Sequence, residues 1–180
     1  MAAMIRQLLD FARRKVADKA PADLADLARK VCQLLAPIAD KRRVTLAVDA
    51  AGAGGSEVRV DAEQIQQALT NLVVNGIQSM PRGGPLSIQI RRERARLSAG
   101  GAEHDCVRVD VEDRGEGMSA ATMERVFEPF FTTKSPGEGT GLGLAVAQEI
   151  ARGHGGWIEV HSEMGSGSRF TMYVPEGAER

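Results

Sequence analysis

Gly139-Thr140-Gly141-Leu142-Gly143-Leu144 decides how this chain is read. Three glycines alternate with a threonine and two leucines. The run then passes directly into Ala145-Val146-Ala147-Gln148-Glu149-Ile150, mostly good helix formers. Glycine lets a backbone approach a ligand closely and take a positive φ at no steric cost. A helix that starts at such a loop aims unpaired N–H groups, and the positive end of its dipole, at whatever the loop holds. That arrangement suits a phosphate. A lone glycine cluster also builds ordinary tight turns, so the reading rests on three earlier motifs that agree with it.

Composition narrows the field. The chain has 180 residues, 43% of them hydrophobic, enough for one domain with a substantial core. Its net charge of −1 gives no pull toward nucleic acid or an anionic membrane. Aromatics make up only 4%, and no basic patch interleaves with them, which argues against nucleic-acid binding. Cys32 and Cys106 are isolated in apolar segments without metal-ligand spacing, as reduced buried thiols would be. No apolar run reaches membrane-spanning length and no signal sequence opens the chain, so this piece is expected to be soluble and cytoplasmic without direct membrane contact of its own, whether or not a longer parent is membrane-anchored.

Hydrophobic periodicity supplies the elements. Ile5, Leu8, Leu9, Ala12 and Val16 recur at helical spacing over residues 4–19, and Pro21 breaks that helix. A second helix places Leu24, Leu27, Ala28, Val31, Leu34, Leu35 and Ile38 on one face, with Pro37 kinking it near its end. Residues 44–48 alternate as a strand. Residues 51–56 form a Gly/Ala turn, and residues 57–60 are expected to be the hairpin partner. Asp61 is the N-cap of a helix over residues 62–80, with Gln64 at its third position as in a capping box. Pro81-Arg82-Gly83-Gly84-Pro85 forces a turn, and residues 86–94 and 106–112 alternate as strands joined by a polar loop. Residues 113–140 are loop-rich with one short helical piece, and long segments of that kind commonly serve as lids. A helix, a strand over 157–162, a Gly-Ser turn and a strand over 169–174 complete the chain, with no internal repeat.

Three motifs carry chemistry besides the glycine run. Gln67, Asn71 and Asn75 stand four residues apart, in a row along one helix face whose neighbours are apolar. Amides are mediocre helix choices unless they hydrogen-bond something specific. Gln67 is expected to be solvated, whereas Asn75, flanked by apolar residues, is a candidate ligand. Its neutral oxygen suits Mg²⁺, a cation that takes few protein ligands when phosphates supply the rest. Asp113-Arg114-Gly115-Glu116-Gly117-Met118 follows a strand directly, and the Asp113 carboxylate can accept from an exocyclic amine such as that of adenine. Phe127-Glu128-Pro129-Phe130-Phe131-Thr132-Thr133-Lys134 holds three of the five phenylalanines in a segment read as loop. Exposed aromatics there must dock somewhere, and Lys134 would reach a terminal phosphate as a mobile point charge.

These blocks, in this order and spacing, resemble the N, G1, F and G2 boxes of the sensor histidine kinase ATP-binding domain. That domain belongs to the wider GHKL family of gyrase B, Hsp90 and MutL. Gly165-Ser166-Gly167-Ser168-Arg169-Phe170 matches a further glycine motif, and the likeness runs over about residues 21–175. It implies an α+β fold, a two-layer α/β sandwich of the Bergerat type, in which a mixed sheet is covered on one face by helices. ATP would lie between the helices and the lid. Residues 1–20 would be a helical stub, the end of a dimerisation and phosphoacceptor helix, and residues 21–180 the catalytic ATP-binding domain with its lid at about 114–140. Carried over residue by residue, Asn75 resembles the Mg²⁺ ligand and Asn71 its companion near the phosphates, with Lys134 completing the transfer chemistry. Asp113 resembles the adenine-reading aspartate, with Gly115 and Gly117 beside it. Gly139, Gly141 and Gly143 resemble the phosphate-binding glycines, and Thr133, Lys134, Thr140, Leu142 and Leu144 are expected to bind the nucleotide beside them. The run Phe130-Phe131-Thr132-Thr133-Lys134 is most similar to kinases of the nitrogen-regulation type. The G1 box departs from its usual form: Arg114 stands where asparagine is usual and Glu116 where proline is frequent. Arg114 is expected to face solvent.

The resemblance leaves three functions in competition: phosphoryl transfer from ATP to histidine, an ATP hydrolase or anti-sigma-type serine kinase, and a nucleotide-binding regulatory module. The family's hydrolases and serine kinases carry a glutamate four residues before the Mg²⁺ asparagine, as general base. Here that position is Asn71, which cannot take a proton. A neutral imidazole is already nucleophilic, so transfer to histidine needs positioning and charge neutralisation instead. None of the three histidines looks like an acceptor: His104 sits in a polar loop, His154 at a helix C-cap before Gly155-Gly156, and His161 in a strand. The acceptor is therefore expected on the dimerisation domain of a longer parent kinase, with a response regulator as the indirect partner.

Overall fold

The computed structural model describes residues 17–51, 55–96, 103–134 and 139–176. Among these residues, seven strands and four helices follow in the order β1 (Ala20–Asp23), α1 (Leu24–Lys41), β2 (Val44–Asp49), β3 (Glu57–Val60), α2 (Ala62–Ser79), β4 (Gly84–Arg96), β5 (Glu103–Asp113), α3 (Ala120–Arg125), α4 (Gly143–Gly153), β6 (Trp157–Glu163) and β7 (Gly167–Pro175). Five strands form one mixed sheet in the order β2-β4-β5-β7-β6, parallel only between β2 and β4.

Period-two alternation builds a two-faced sheet. Leu86, Ile88 and Ile90 of β4, Val107, Val109 and Val111 of β5, and Phe170, Met172 and Val174 of β7 point to one face and are buried. Against them pack Leu24, Val31 and Leu35 of α1, Ile65, Leu69, Leu72 and Ile77 of α2, and Val146, Ala147 and Ile150 of α4, all in one core cluster. Each fully buried Leu or Ile contributes about 1.5–3 kcal/mol relative to exposure. The opposite face mixes polar pairs with a small apolar cluster: Thr171 donates to Asp110 at 2.6 Å, Arg169 pairs with Glu112 at 2.7 Å, and Trp157 stacks on Tyr173 beside Cys106. The expected α+β two-layer sandwich is the architecture found.

Helix α2 lies between α1 and α4 on this sheet. Asp61 caps it, accepting from the N–H groups of Glu63 and Gln64 at 3.1 Å each. Asp23 does the same for α1, accepting from Ala25 and Asp26, and Ser56 donates to that carboxylate. Pro37 sits inside the last turns of α1, which run on to Lys41.

The structure corrects the topology in two places. β3 does not pair with β2: it pairs antiparallel with β1, Ala20 opposite Val60. Residues 50–56 are longer than a usual hairpin loop of about two to five residues, and β2 reaches β4 instead through the α2 crossover, which makes those strands parallel. Around Pro21 the chain forms strand β1. The predicted stub helix falls mostly outside the described residues, and 17–19 are not helical. His104, read as a loop residue, belongs to β5. No helix among the described residues is long and apolar enough to cross a membrane.

His154 does more than cap α4. Its ring is only 2% exposed; Nδ1 donates to the Ile150 carbonyl at 2.8 Å, and Nε2 accepts from the Asp61 N–H at 3.0 Å. Burial depresses its pKa below the ordinary 6.5, and the nearby Lys19 charge adds to the shift. The unfolded chain therefore takes up this proton more readily than the folded one. The stabilising contribution is complete above pH 6.5 and is lost as pH falls below it. Urea midpoints at pH 8 and 5.5 should show this loss in the parent chain. It should shrink in His154→Gln, which keeps a donor and an acceptor but cannot titrate.

Candidate nucleotide-binding site

One face of α2 opens onto a cavity of about 260 Å³. Asn71, Val74, Asn75 and Gln78 form its floor. The segment between β5 and α4 supplies Met118, Thr122, Val126, Phe131, Thr132, Thr133 and Lys134, and the glycine run supplies Gly139, Thr140, Gly141, Gly143 and Leu144. Segments far apart in sequence thus meet here because α2 and α4 pack side by side on the sheet.

The three phenylalanines divide their roles. Phe127 sits edge-on to core residue Phe170, ring centroids 6.3 Å apart. Phe131 faces the cavity, with the Arg125 guanidinium 4.3 Å from its ring centroid, a cation–π contact. Phe130 is 62% exposed and takes φ 68°, a left-handed conformation that costs a non-glycine residue about 1–2 kcal/mol. Its N–H donates to the Gly141 carbonyl at 2.9 Å. Gly141 itself takes φ 67°, and a Cβ there would stand 2.5 Å from the Phe130 carbonyl carbon. The aromatic segment and the glycine loop are therefore clamped backbone to backbone.

Helix α4 begins at Gly143, and no side chain caps it. Its first-turn N–H groups lie at the cavity wall, an arrangement that favours an anion. A Cβ on Gly143 would lie 3.7 Å from the Asn71 carboxamide, an ordinary contact with no backbone in the way. Opposite, Lys134 reaches across the cavity: Nζ donates to Gln78 Oε1 at 2.6 Å and to Asn75 Oδ1 at 3.3 Å. The Asn75 oxygen already faces a cation, as a metal ligand must. Among the described residues no cluster of three or more His, Cys, Asp or Glu could hold a metal by itself, so an ion at Asn75 would need the phosphates as further ligands.

Four predicted positions lie away from the lining. Leu142 is fully buried in the core as the residue before α4. Asp113 is 2% exposed, its Oδ1 accepting from Ser79 Oγ at 2.9 Å and from the Gly115 N–H at 2.8 Å. Burial raises its pKa, opposed by those hydrogen bonds and one from the Ser168 N–H. Gly115 and Gly117 pack against backbone: a Cβ would meet the Ser79 and Glu163 carbonyl oxygens at 2.4 Å and 1.9 Å. Gly115 lets the turn after β5 close over the end of α2, and Gly117 lets it pass the end of β6. Arg114 is exposed as expected, paired with Glu112 at 3.0 Å, and Gln67 is exposed too. Sequence reasoning missed Val74, Gln78, Met118, Thr122 and Val126. Spacing could have found them: Gln78 follows Asn75 by one turn, and Met118, Thr122 and Val126 recur every fourth residue.

A mixed sheet under three helices, with a glycine loop facing helix-borne amides, defines an ATPase fold. Residues 60–178 match the family described as histidine kinase-, DNA gyrase B-, and HSP90-like ATPase, and the chain belongs to that family. It is 38% identical over 97% of its length to sensor kinase CckA of Brucella abortus, and 34% identical over 96% to sensor histidine kinase ZraS of Escherichia coli. It spans only 19% and 34% of those proteins. Its fold is similar to the nucleotide-free catalytic domain of histidine kinase ThkA, with TM-score 0.72, 26% identity and 88% of this chain and 96% of that one covered. Full-length ShkA in complex with AMPPNP gives TM-score 0.77 and 26% identity over 96% of this chain and 35% of that one.

Two glycine substitutions separate fold from binding. Gly141→Ala should destabilise the chain by about 1–3 kcal/mol, because it strains a positive φ and strikes Phe130. Gly143→Ala should leave thermal stability near the parent's and still weaken ATP binding, by placing a methyl group where phosphate approaches α4. Melting curves without nucleotide and calorimetry with Mg·ATP test both. Parent-like affinity in Gly143→Ala would remove the α4 N-terminus from the site.

Proposed function

We propose that this chain is the catalytic module of a sensor histidine kinase, passing the γ-phosphate of Mg·ATP to a histidine on a separate dimerisation domain. From there the phosphate would go to a response regulator. One observation carries this reading: no described residue lining the cavity is a carboxylate, while three amides, a lysine and an uncapped helix N-terminus converge on it. A water- or hydroxyl-activating base is thus lacking among those residues, which disfavours a hydrolase or serine kinase. A neutral imidazole needs no such base. Its nitrogen forms the new bond to the γ-phosphorus as the bridging P–O bond to ADP breaks, and the imidazole then sheds its proton.

Asn75, with Asn71 beside it, would hold the Mg²⁺, whose chemistry is to neutralise charge on the phosphates. Lys134 and the first turn of α4 bear on the phosphates from the other walls, and Thr133, Thr140 and Leu144 complete the lining. The segment over residues 114–140 acts as the lid. Asp113 reads the adenine amine from beneath α2, where its Oδ1 is already oriented by Ser79 and Gly115. The relatives' names support the kinase reading, as does the ThkA complex with response regulator TrrA for a partner of that class. The Phe130–Lys134 run supports a finer place beside nitrogen-regulation-type kinases. Residues 1–20, read as the end of a dimerisation helix, would join the module to its acceptor domain in the cytoplasm. None of the three histidines suits the acceptor role: His154 is buried, and His104 and His161 lie on strands.

Mixed with a parent kinase's dimerisation hairpin and Mg·[γ-³²P]ATP, the chain should label that hairpin with an acid-labile, alkali-stable phosphate, and Asn75→Ala should abolish the labelling. Label on a serine of either partner, stable to acid, would favour the serine kinase instead.

Asp113→Asn should weaken ATP binding by about tenfold or more, the loss of a hydrogen bond to a charged acceptor. It should narrow the preference for ATP over GTP. Unchanged calorimetric affinities for both nucleotides would remove Asp113 from base recognition.

A further inference from the structure

Gln78 belongs to no expected motif, yet it accepts a short hydrogen bond inside the cavity. Its Oε1 accepts from Lys134 Nζ at 2.6 Å, while Asn75 Oδ1, one helical turn earlier on the same face, accepts from that ammonium at 3.3 Å. The lysine's backbone is held as well, its N–H donating to Thr132 Oγ1 at 3.2 Å. The ammonium thus spans two carboxamide oxygens of α2 from the opposite wall. One of them is the oxygen that suits a divalent cation.

Two cations cannot share one neutral oxygen at close range in a half-buried cavity without strong repulsion. We propose that Gln78 is a positioning residue for Lys134: the ammonium occupies the Asn75 oxygen until Mg²⁺ arrives with nucleotide, and Gln78 then keeps the displaced ammonium inside the cavity, beside the phosphates. This rests on the nucleotide reading of the cavity. Chemistry supports a berth of this kind. An ammonium has three donors on a flexible stem, so it exchanges partners without moving its backbone. An amide at residue 78 holds it by one charge-assisted hydrogen bond, strong enough to keep it near and weak enough to leave it available. A carboxylate there would add a negative charge facing the phosphates.

The same contact joins α2 to the segment between β5 and α4. Lys134 is the last described residue before 135–138, so the pair ties that segment's exit to the helix carrying Asn71 and Asn75.

The test uses the full 180-residue chain with ¹⁵N-labelled lysine, reading the Lys134 ammonium signal, assigned by its loss in Lys134→Met. In the parent chain this signal should be protected from water exchange without nucleotide, shift when Mg·ADP is added, and stay protected. In Gln78→Leu, close in size but without an acceptor, exchange in Mg·ADP should accelerate by about tenfold or more, as for one lost charge-assisted hydrogen bond. Gln78→Glu, which restores an acceptor at the same reach, should recover protection. The Mg²⁺ concentration needed to tighten ADP binding should fall in Lys134→Met, because no ammonium has to leave Asn75. A packing role for Gln78 would instead be rescued by Leu and not depend on the acceptor. Parent-like exchange in Gln78→Leu, or a Lys134 signal indifferent to Mg·ADP despite measured ADP binding, would overturn this proposal alone. A parent chain that binds no Mg·ADP by calorimetry would overturn the functional reading together with it.

Discussion

The hydrogen bond from the Asp61 N–H to His154 Nε2 fixes the geometry on which the site depends. It ties the N-cap of α2 to the C-cap of α4, so the two helices run side by side from a common pin. At 1.5 Å per residue, Asn71 lies about 15 Å along α2 from Asp61, and Gly143 lies about 16.5 Å back along α4 from His154. The two lengths match, and Gly143 meets the Asn71 carboxamide at the far end. A slip of one turn would move the glycine loop about 5.4 Å along the amide row. The buried histidine is a structural residue that sets the register between the amide row and the glycine run from the remote end of the helix pair.

The second constraint acts across the cavity. Gly141 and Phe130 adopt left-handed backbones together, each closing against the other, and neither is favourable for Phe130 alone. Strain of that size persists only where surrounding structure determines it. Phe127 provides that determination by docking on Phe170, and Phe131 by facing the cavity with Arg125 over its ring. The consequence is that the Lys134 segment and the glycine run form one wall. Whatever moves the aromatic segment also moves the glycine loop across the cavity.

How much of this was legible depended on whether a feature is local. The Asp61 cap, the Asn71–Asn75 row, the glycine run before α4 and the alternation of the sheet strands are local patterns, and each appears where spacing put it. The pairing of β3 was not legible, because β1 is too short to carry periodicity and its partner lies far along the chain. The placement of Asp113 followed the same rule. Its strand-end position was readable, but its enclosure by Ser79 and Gly115 depends on α2 lying over the sheet. Gln78 and Leu142 fail in opposite senses. Gln78 sits on the face already identified and was overlooked because it breaks the four-residue step. Leu142 sits within the motif, yet its side chain turns into the core, so only its backbone can take part in a site.

Neutral amides on α2 make sense once the whole charge balance of the cavity is considered. A nucleotide's phosphates bring several negative charges into a half-buried space, where interactions are less screened than in water. Carboxylates facing them would repel that charge unless metal ions were always present. Amide oxygens can hold a cation without adding negative charge, and amide N–H groups can donate to the phosphates directly. The floor of this cavity is therefore able to accept a lysine ammonium in one state and a metal–phosphate complex in another without changing its own charge. That versatility has a cost: with no carboxylate among the described lining residues, those residues offer no base to activate a hydroxyl or a water. On the proposed kinase reading the incoming nucleophile brings its own reactivity, as a neutral histidine imidazole does near neutral pH.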